Sequence, residues 1–526
     1  MIFSGRLKRQ IHENFGKNPL NEGHIYYNGS NRLEQIGRLY FNKDHGDAEL
    51  VDEITWSDLE MDSVFLRVSH CNSFIGEQIL YDRMHNLRRH NSDKYLKLFE
   101  SNPSFRESVE FRLNHMSKKQ ENYYMYEVNK CIKGCKIGSN LLFRLIQLII
   151  LLVIVAFIVT KLEILPILLV VILFTNLIIS FTAKRKYESF MSSISSFLVV
   201  FANAKWLCKQ KELEDIIDDD IKATVERMNT TAMSANALVA FYESKAMGDM
   251  VAVLADYLYS MTLMDIISFN RIVDLIENKS EDVDKIMEFV GNVDADISIL
   301  SYRASVENWC EPEFSGLAIE AKSLAHPLID NPVTCDFNLK SKAIITGPNA
   351  SGKSTFMKAV AINAILAQTI NTCVAEQFKL DRIGVMTCMS LRDDVISGDS
   401  YYLREAKYIQ RMLSEINSSK RYLIVIDEIL KGTNTMERVA ASKAILEYIN
   451  ATDSLALVAT HDMEIADTVG FEKYHFDTQI KDNEIYFDYQ IHDGVSKSTN
   501  AIALLKCLDY PDSIIESARD FISKAN

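Results

Sequence analysis

Between Leu145 and Ala183 the chain reads LIQLIILLVIVAFIVTKLEILPILLVVILFTNLIISFTA. Apolar surface of that length must be withdrawn from water, which leaves a bilayer or a large protein core as its surroundings. Ile164 to Ala183 runs twenty residues without a charge, and at about 1.5 Å of rise each they span about 30 Å, the thickness of a hydrocarbon core. The preceding run, Leu145 to Thr160, has sixteen residues; it reaches spanning length if it begins near Leu141 and Arg144 snorkels to the interface. Only Lys161-Leu162-Glu163 separates the two, room for a tight turn between antiparallel helices. Pro166 is tolerated in the first turn of the second helix. Lys130, Lys133, Lys136 and Arg144 precede the pair, and Lys184, Arg185 and Lys186 follow it. Basic residues on both flanks favour the cytoplasmic side for both. The expectation is a transmembrane helical hairpin over residues 141–183 in the cytoplasmic membrane, with both termini in the cytoplasm. The competing reading, a hairpin buried in a soluble core, fits less well, because such helices are usually shorter and carry a polar face.

The rest of the composition is that of a globular protein. At 526 residues, 48% apolar and 24% charged, the chain has material for about three to four domains. A net charge of -14 argues against a generally basic nucleic-acid binder and confines any DNA contact to a local stripe. Nine cysteines at irregular spacing read as buried free thiols in a reducing compartment. Cys131 and Cys135 could share a helix face, but no second pair stands at a zinc-like spacing, so they read as unrelated thiols. The N-terminus, MIFSGRLKRQIHENFGK, is basic and lacks the apolar run of a secretory signal.

On either side of the hairpin the pattern is helical. Residues 51–130 repeat apolar positions at helical spacing, and residues 187–310 contain no proline. Val283, Ile286, Val290, Val293, Ile297 and Leu300 form a narrow seam suited to a long helix against a neighbour. Gly291 within it marks a close approach or a bend. The acidic run ELEDIIDDD, 212–220, reads as a solvated face. Arg83, Arg88, Arg89 and His90 form a basic cluster that could touch phosphate but reads more simply as surface charge.

After Pro312 short β-rich runs alternate with helices, the pattern of an α/β domain. KAIITGPNASGKSTFMKAVAINAIL reads as strand, glycine-rich loop and helix. Gly347 and Gly352 let the backbone wrap phosphates, Lys353 offers a charge to the β- and γ-phosphates, and Ser354 offers a hydroxyl to Mg²⁺. In RYLIVIDEI, an apolar strand ends in two acids. Asp427 is placed for the Mg²⁺ shell and Glu428 to orient and deprotonate the attacking water. LALVATHD closes a further strand on His461, where a γ-phosphate sensor would stand. Between them, in SLRDDVISGDSYYLREAKYI, Ser397, Gly398 and Ser400 open a helix and form an anion site. In a head-to-tail dimer that site would cap the nucleotide held by the partner.

The order GPNASGKST, RDDVISGDSYYLRE, LIVIDEILKGTNTMERVAASKAI, VATHDMEIAD and DGVSKSTNAIALLKCLDYPDSIIESARDFI resembles the MutS mismatch-repair ATPase family, within the ABC-type ATPases. The resemblance covers residues 311–526, and ITWSDLEMDSVF at 54–65 is similar to the start of that family's helical core. It implies an N-terminal segment (1–50), a first part of the helical core (51–140), the hairpin (141–183), a second core and lever part (184–310) and a C-terminal P-loop ATPase domain (311–526), an α plus α/β architecture. It implies ATP and Mg²⁺ as ligands, ATP hydrolysis to ADP and phosphate, and a homodimer through the ATPase domains. The loop Gly347, Pro348, Asn349, Ala350, Ser351, Gly352, Lys353, Ser354 and Thr355 would bind ATP, with Ser354 and Asp427 at the metal. Glu428 would be the base, His461 the switch histidine, Ser400 the signature serine acting in trans, and Thr433, Asn434 and Thr435 the interface loop. Val333 and Thr334 stand near the place where the family often supplies an aromatic side chain to the adenine, with Phe337 beyond it.

The family's mismatch readers carry an N-terminal domain with a Phe-x-Glu wedge. Fifty residues are too few for it, and Phe241-Tyr242-Glu243 falls in a helical region and reads as coincidence. The expected function is therefore a membrane-anchored ATPase sensing DNA structure, related to mismatch repair. The alternative keeps the ATP-driven switch but moves a protein partner or the bilayer without DNA. A transporter subunit fits worst, since two spans make no conduit and ISGDS departs from the Leu-Ser-Gly-Gly-Gln type.

Overall fold

The computed structural model describes residues 2–20, 32–87, 94–127, 135–246, 250–316, 318–348, 351–389, 401–416, 420–431, 434–468, 470–481, 484–495 and 510–525. Its architecture is mixed, a helical part carrying two long apolar helices and an α/β part built on two sheets.

The centre of the helical part is the pair Phe74–His85 and Ser280–Ala304. Ser73 caps the first of these, its hydroxyl accepting from the Gly76 amide, and the carboxylate of Asp294 from the second helix accepts the amides of Asn72 and Ser73. Every residue of Phe74–His85 is buried, and so is the whole seam from Val283 to Leu300. Such close approach requires glycine at the crossing. A Cβ on Gly76 would lie 2.2 Å from Asp294 Oδ2, and one on Gly291 would lie 2.3 Å from Ile79 Cγ1. Gly291 therefore marks a close approach and not a bend, inside an unbroken helix. The run 212–220 is largely exposed apart from Leu213 and Ile217, as a solvated face should be.

Arg83 departs from the surface role expected of it. It is buried, its Nη1 lies 2.5 Å from Asp296 Oδ1, and its Nε donates to the Thr369 carbonyl at 3.2 Å. A guanidinium in that position satisfies a buried carboxylate on the long helix, which a sequence count of basic residues does not foresee. Arg88, Arg89 and His90 lie outside the described residues, as does Cys131, and the described cysteines are all free thiols. Phe241 to Glu243 lie on the helix Asp219–Ala246.

Two helices, Asn140–Thr160 and Ile164–Leu207, meet at a turn in which Lys161 takes the left-handed conformation. Both are long and apolar enough to cross a membrane, the second over Ile164–Arg185. Few of their apolar side chains are buried; Val159 and Phe174 are 75% and 62% exposed. Beyond Ala183 the second helix continues unbroken, and its later residues Ile194, Phe197, Phe201 and Leu207 enter the helical core. The change from apolar to mixed composition at Lys184 is a change of surroundings, and backbone hydrogen bonding propagates through it.

The α/β part contains β1 (Glu313–Phe314), β2 (Ile319–Leu324), β3 (Cys335–Leu339), β4 (Lys342–Thr346), β5 (Gln377–Leu380), β6 (Gly384–Cys388), β7 (Tyr422–Asp427), β8 (Leu455–Ala459), β9 (Glu472–Lys481) and β10 (Glu484–Asp493). The larger sheet has the order β10-β9-β4-β8-β7-β6 and the smaller β1-β5-β2-β3. In the larger sheet every pairing is parallel except β9 with β10. Strands β4, β6 and β8 are buried throughout, as apolar strands covered on both faces must be. The helix Lys353–Ile370 packs on this sheet, almost entirely buried.

The two parts are joined by buried and part-buried polar contacts. Asp58, on the helix Glu53–Asp58, accepts from the Thr387 hydroxyl and the Met389 amide beside β6, and Arg411 pairs with Asp52 at 2.5 Å. Arg303 donates to the Thr372 hydroxyl and the Asn371 carbonyl, just past the end of Lys353–Ile370. The segment 54–65 thus seats the helical core on the sheet.

Candidate functional site

The sheet order sets β4, β8 and β7 side by side and parallel, so the segments leaving their carboxyl ends share one edge. Crevices outside that edge are where open α/β sheets take ligands. After β4 the chain turns at Gly347, φ 138°, where a Cβ would stand 2.6 Å from the Phe476 carbonyl oxygen of β9. Only glycine fits this conformation and this approach. Gly352, φ 104°, precedes the helix Lys353–Ile370. Ser351 closes the loop by donating to the Pro348 carbonyl at 2.8 Å. Asn349 and Ala350 lie outside the described residues.

Lys353 Nζ donates to the carbonyls of Gly347 and Pro348 at 2.7 and 2.6 Å. Burial lowers its pKa, against the opposing pull of Asp427 and Glu428. An ammonium held this way fills the loop's concavity and can exchange two carbonyls for phosphate oxygens. Ser354 Oγ donates to Asp427 Oδ2 at 2.5 Å, joining the first helical turn to the end of β7. Thr355 is exposed.

Glu428 follows at φ 65°, its amide bonded to the Ala459 carbonyl at the end of β8. That left-handed turn aims its carboxylate at His461, whose Nε2 lies 2.6 Å away, and at Lys431, 2.8 Å away. Burial alone would raise the carboxyl's pKa, but the hydrogen bonds and charges of His461 and Lys431 outweigh it and hold the group at about 2. The carboxylate is thus kept ionised, half-buried and oriented, the condition for accepting a proton from a positioned water.

Among the described residues no three His, Cys, Asp or Glu side chains cluster as a metal site. A Mg²⁺ that comes with phosphates needs less, one or two protein oxygens with the rest from phosphate and water. The adjacent Ser354 hydroxyl and Asp427 carboxylate fit that requirement.

Asn434 caps the helix Thr435–Asn450, its Oδ1 accepting the Met436 amide at 3.2 Å, and Thr435 and Met436 are exposed, Met436 at 82%. Thr433, Ser397, Gly398 and Ser400 lie outside the described residues. Phe337 is buried edge-on against Phe356 and Tyr474, so it cannot stack on a base; Val333 and Thr334 are exposed.

Three participants went unassigned from sequence. Lys431 sits three residues past Glu428 in a loop of unpredictable course. Glu405, on the helix Tyr401–Glu415, accepts the Leu430 amide at 2.5 Å and so ties the segment after the ISGDS run to the Glu428 turn. Tyr489, left-handed at φ 54° in an irregularity of β10, puts an exposed ring 3.1 Å from where a Gly352 Cβ would be. The first two lie inside quoted motifs; nothing in the local pattern signals the third.

Comparison with known proteins agrees with the resemblance. Residues 343–526 match the family model described as MutS domain V. The chain is 30% identical over 274 residues to the DNA mismatch repair protein MutS of Thermotoga maritima, covering 49% of this chain and 33% of that protein. It is 27% identical over 284 residues to MutS of Aquifex pyrophilus (51% and 33%) and 25% identical over 291 residues to the DNA mismatch repair protein MutS 2 of Haloarcula marismortui (49% and 30%). The matched segment thus spans about a third of the length of these curated relatives.

Proposed function

The chain belongs to the MutS family through its C-terminal part, and from that premise we propose that it is an ATP hydrolase anchored in a membrane by residues 141–183. The observation that carries the proposal is the convergence of Lys353, Ser354, Asp427, Glu428 and His461 on one edge of three neighbouring parallel strands. The loop from Gly347 to Thr355 would bind the phosphates of ATP, Lys353 turning from its two carbonyls to phosphate oxygen. Ser354 and Asp427 would hold Mg²⁺, whose charge offsets that developing on the phosphate oxygens. Glu428 would take a proton from the attacking water, with His461 and Lys431 fixing its orientation and its ionised state. Tyr489 lies beside the same loop, its ring next to Gly352.

A homodimer through the ATPase domains follows from the signature residues Ser397, Gly398 and Ser400, which would serve the partner's nucleotide. The loop Thr433 to Thr435, leading to the exposed Met436, would lie at that interface. The relatives named above are DNA mismatch repair proteins, and the corresponding role here is ATP-dependent DNA binding and DNA-structure sensing. The anchor is supported by the two long, apolar and mostly exposed helices. A net charge of -14 favours a second reading, a switch acting on a protein partner or the bilayer without DNA. A salt-dependent mobility shift with duplex, branched or single-stranded DNA separates the two.

Glu428→Gln is expected to abolish hydrolysis while ATP still binds and a dimer accumulates. Turnover unchanged in that variant refutes the assignment of the base. Recovery of the protein in the soluble fraction after a carbonate wash refutes the anchor.

A further inference from the structure

The helix Met250–Met261 is built inside out. Its polar residues Asp256 and Ser260 are buried, whereas Leu254, Tyr257 and Leu258 are 61%, 52% and 66% exposed. Met264, just beyond the turn, is exposed as well. The apolar half of Ile164–Leu207 shows the same inversion. Asn176, Ser180 and Lys184, four residues apart and so on one face, are buried, while Val170, Val171, Phe174, Ile178 and Phe181 are exposed.

The two polar faces meet in one seam. Lys184 Nζ lies 2.6 Å from Asp256 Oδ1 and 2.7 Å from Ser260 Oγ, and the Ser180 hydroxyl bonds Asp265. Asn176 Nδ2 donates to the Met261 carbonyl at 2.8 Å, and from the other hairpin helix Gln147 Nε2 donates to the Thr262 carbonyl at 2.8 Å. Water would favour the opposite arrangement, apolar side chains inward and polar ones outward. Polar groups paired inside under an apolar exterior are what hydrocarbon surroundings require.

The contacts also fix a depth. Asn176 lies twelve residues past Ile164 and Gln147 thirteen before Thr160, about 18 and 20 Å from the hairpin's tip at about 1.5 Å per residue. With the tip at the far face of a core about 30 Å thick, the Met261–Thr262 corner lies about 10 Å inside the near leaflet. Lys184, twenty residues past Ile164, then falls about 30 Å from the tip, at the near interface.

We infer that residues 254–264 are a third membrane element, a re-entrant corner that enters the near leaflet without crossing, with Tyr257, Leu258 and Met264 against acyl chains and Leu254 at the interface. The occupant of this face is lipid, because the face is continuous with the hairpin's exposed surface across the shared seam. The inference rests on the membrane anchor proposed above.

The test uses the full chain reconstituted in phosphatidylcholine vesicles, with an environment-sensitive fluorescent residue replacing Leu258, Leu168 near the tip, or Met436 at the exposed start of Thr435–Asn450. Lipids bearing a nitroxide on the acyl chain and aqueous iodide serve as quenchers. Residues at 258 and 168 should lose most of their emission to the nitroxide lipid and little to iodide, with the reverse at 436. Iodide quenching at 258 with nitroxide quenching at 168 overturns the re-entrant corner and leaves the hairpin anchor standing. Iodide quenching at both overturns the anchor too. A residue at 258 shielded from both quenchers reveals a protein covering, a second copy or a partner, and also overturns the inference.

Discussion

Arg83→Met should destabilise the protein more than its place in a basic cluster would suggest. The guanidinium and the Asp296 carboxylate are each 3% exposed and 2.5 Å apart. Removing one partner of such a pair leaves the other charge buried without its counter-ion, at about 3–5 kcal/mol. The hydrogen bond to the Thr369 carbonyl is lost as well. With a denaturant slope of about 3 kcal/mol/M, the upper end for small domains in urea, the unfolding midpoint falls by about 1–2 M. The assay is urea unfolding in detergent, followed by tryptophan emission, since Trp56 stacks on His85 two residues from Arg83. The double variant Arg83→Met/Asp296→Leu should regain most of the loss, because an apolar pair of similar volume needs no counter-ion. A single variant that unfolds at the wild-type midpoint refutes this account, and so does a double variant no more stable than the single.

Burial holds the His85 imidazole at about 3, against the opposing bond to the Tyr81 carbonyl and the charge of Asp82. The folded state therefore keeps it neutral, and the stability this carries is full above the unfolded value near 6.5 and drains as pH falls toward 3. At pH 5 the loss is about 2 kcal/mol. His85→Phe keeps the stacking on Trp56 and Tyr40, so its melting temperature should fall less between pH 7 and 5 than wild type's; equal falls contradict the buried neutral histidine. Gly291→Ala gains about 1 kcal/mol of helix propensity but forces a Cβ against Ile79 and the Ile75 carbonyl, overpacking that costs about 1–3 kcal/mol. A melting temperature above wild type's would show that the two helices are not in close contact there. Glu428, its pKa lowered to about 2, contributes stability above its unfolded value near 4.5 that is lost only as pH falls toward 2. The pH profile of kcat/KM for ATP should therefore show no acid limb from this group in wild type, whereas Lys431→Ala should bring one up toward the ordinary carboxylate range. An acid limb in wild type that Lys431→Ala leaves in place assigns it to another group.

What could be read from the sequence was whatever a short local pattern encodes. Gly347, Gly352, Lys353 and Ser354 belong to one loop whose geometry is fixed by glycine conformations, and Asp427 and Glu428 end a strand whose composition announces it. The seam from Val283 to Leu300 was legible because helical periodicity repeats along it, and the two apolar helices because length and polarity suffice. What escaped was set by long-range packing. Arg83 looks the same in sequence whether solvated or paired, and only Asp296, 213 positions away, decides which. Tyr489 reaches Gly352 through an irregularity of β10 that local composition does not specify. The inverted helix Met250–Met261 has ordinary amphipathic spacing, and spacing cannot say which face turns outward.

The helix Lys353–Ile370 places these elements in mechanical relation. Its first turn holds Lys353, bonded to the Gly347 and Pro348 carbonyls, and Ser354, bonded to Asp427. Its far end is gripped twice, by Arg83 at the Thr369 carbonyl and by Arg303 at the Asn371 carbonyl. Arg303 belongs to Ser280–Ala304, and Arg83 is paired with Asp296 of that same helix. The preceding helix, Met264–Glu277, begins at the corner that Asn176 and Gln147 fix against the hairpin. Each joint is a buried or part-buried hydrogen bond, to a carboxylate or to a backbone carbonyl, and such bonds are costly to leave unmade. A tilt of Lys353–Ile370 therefore either breaks both arginine contacts or carries Ser280–Ala304 with it.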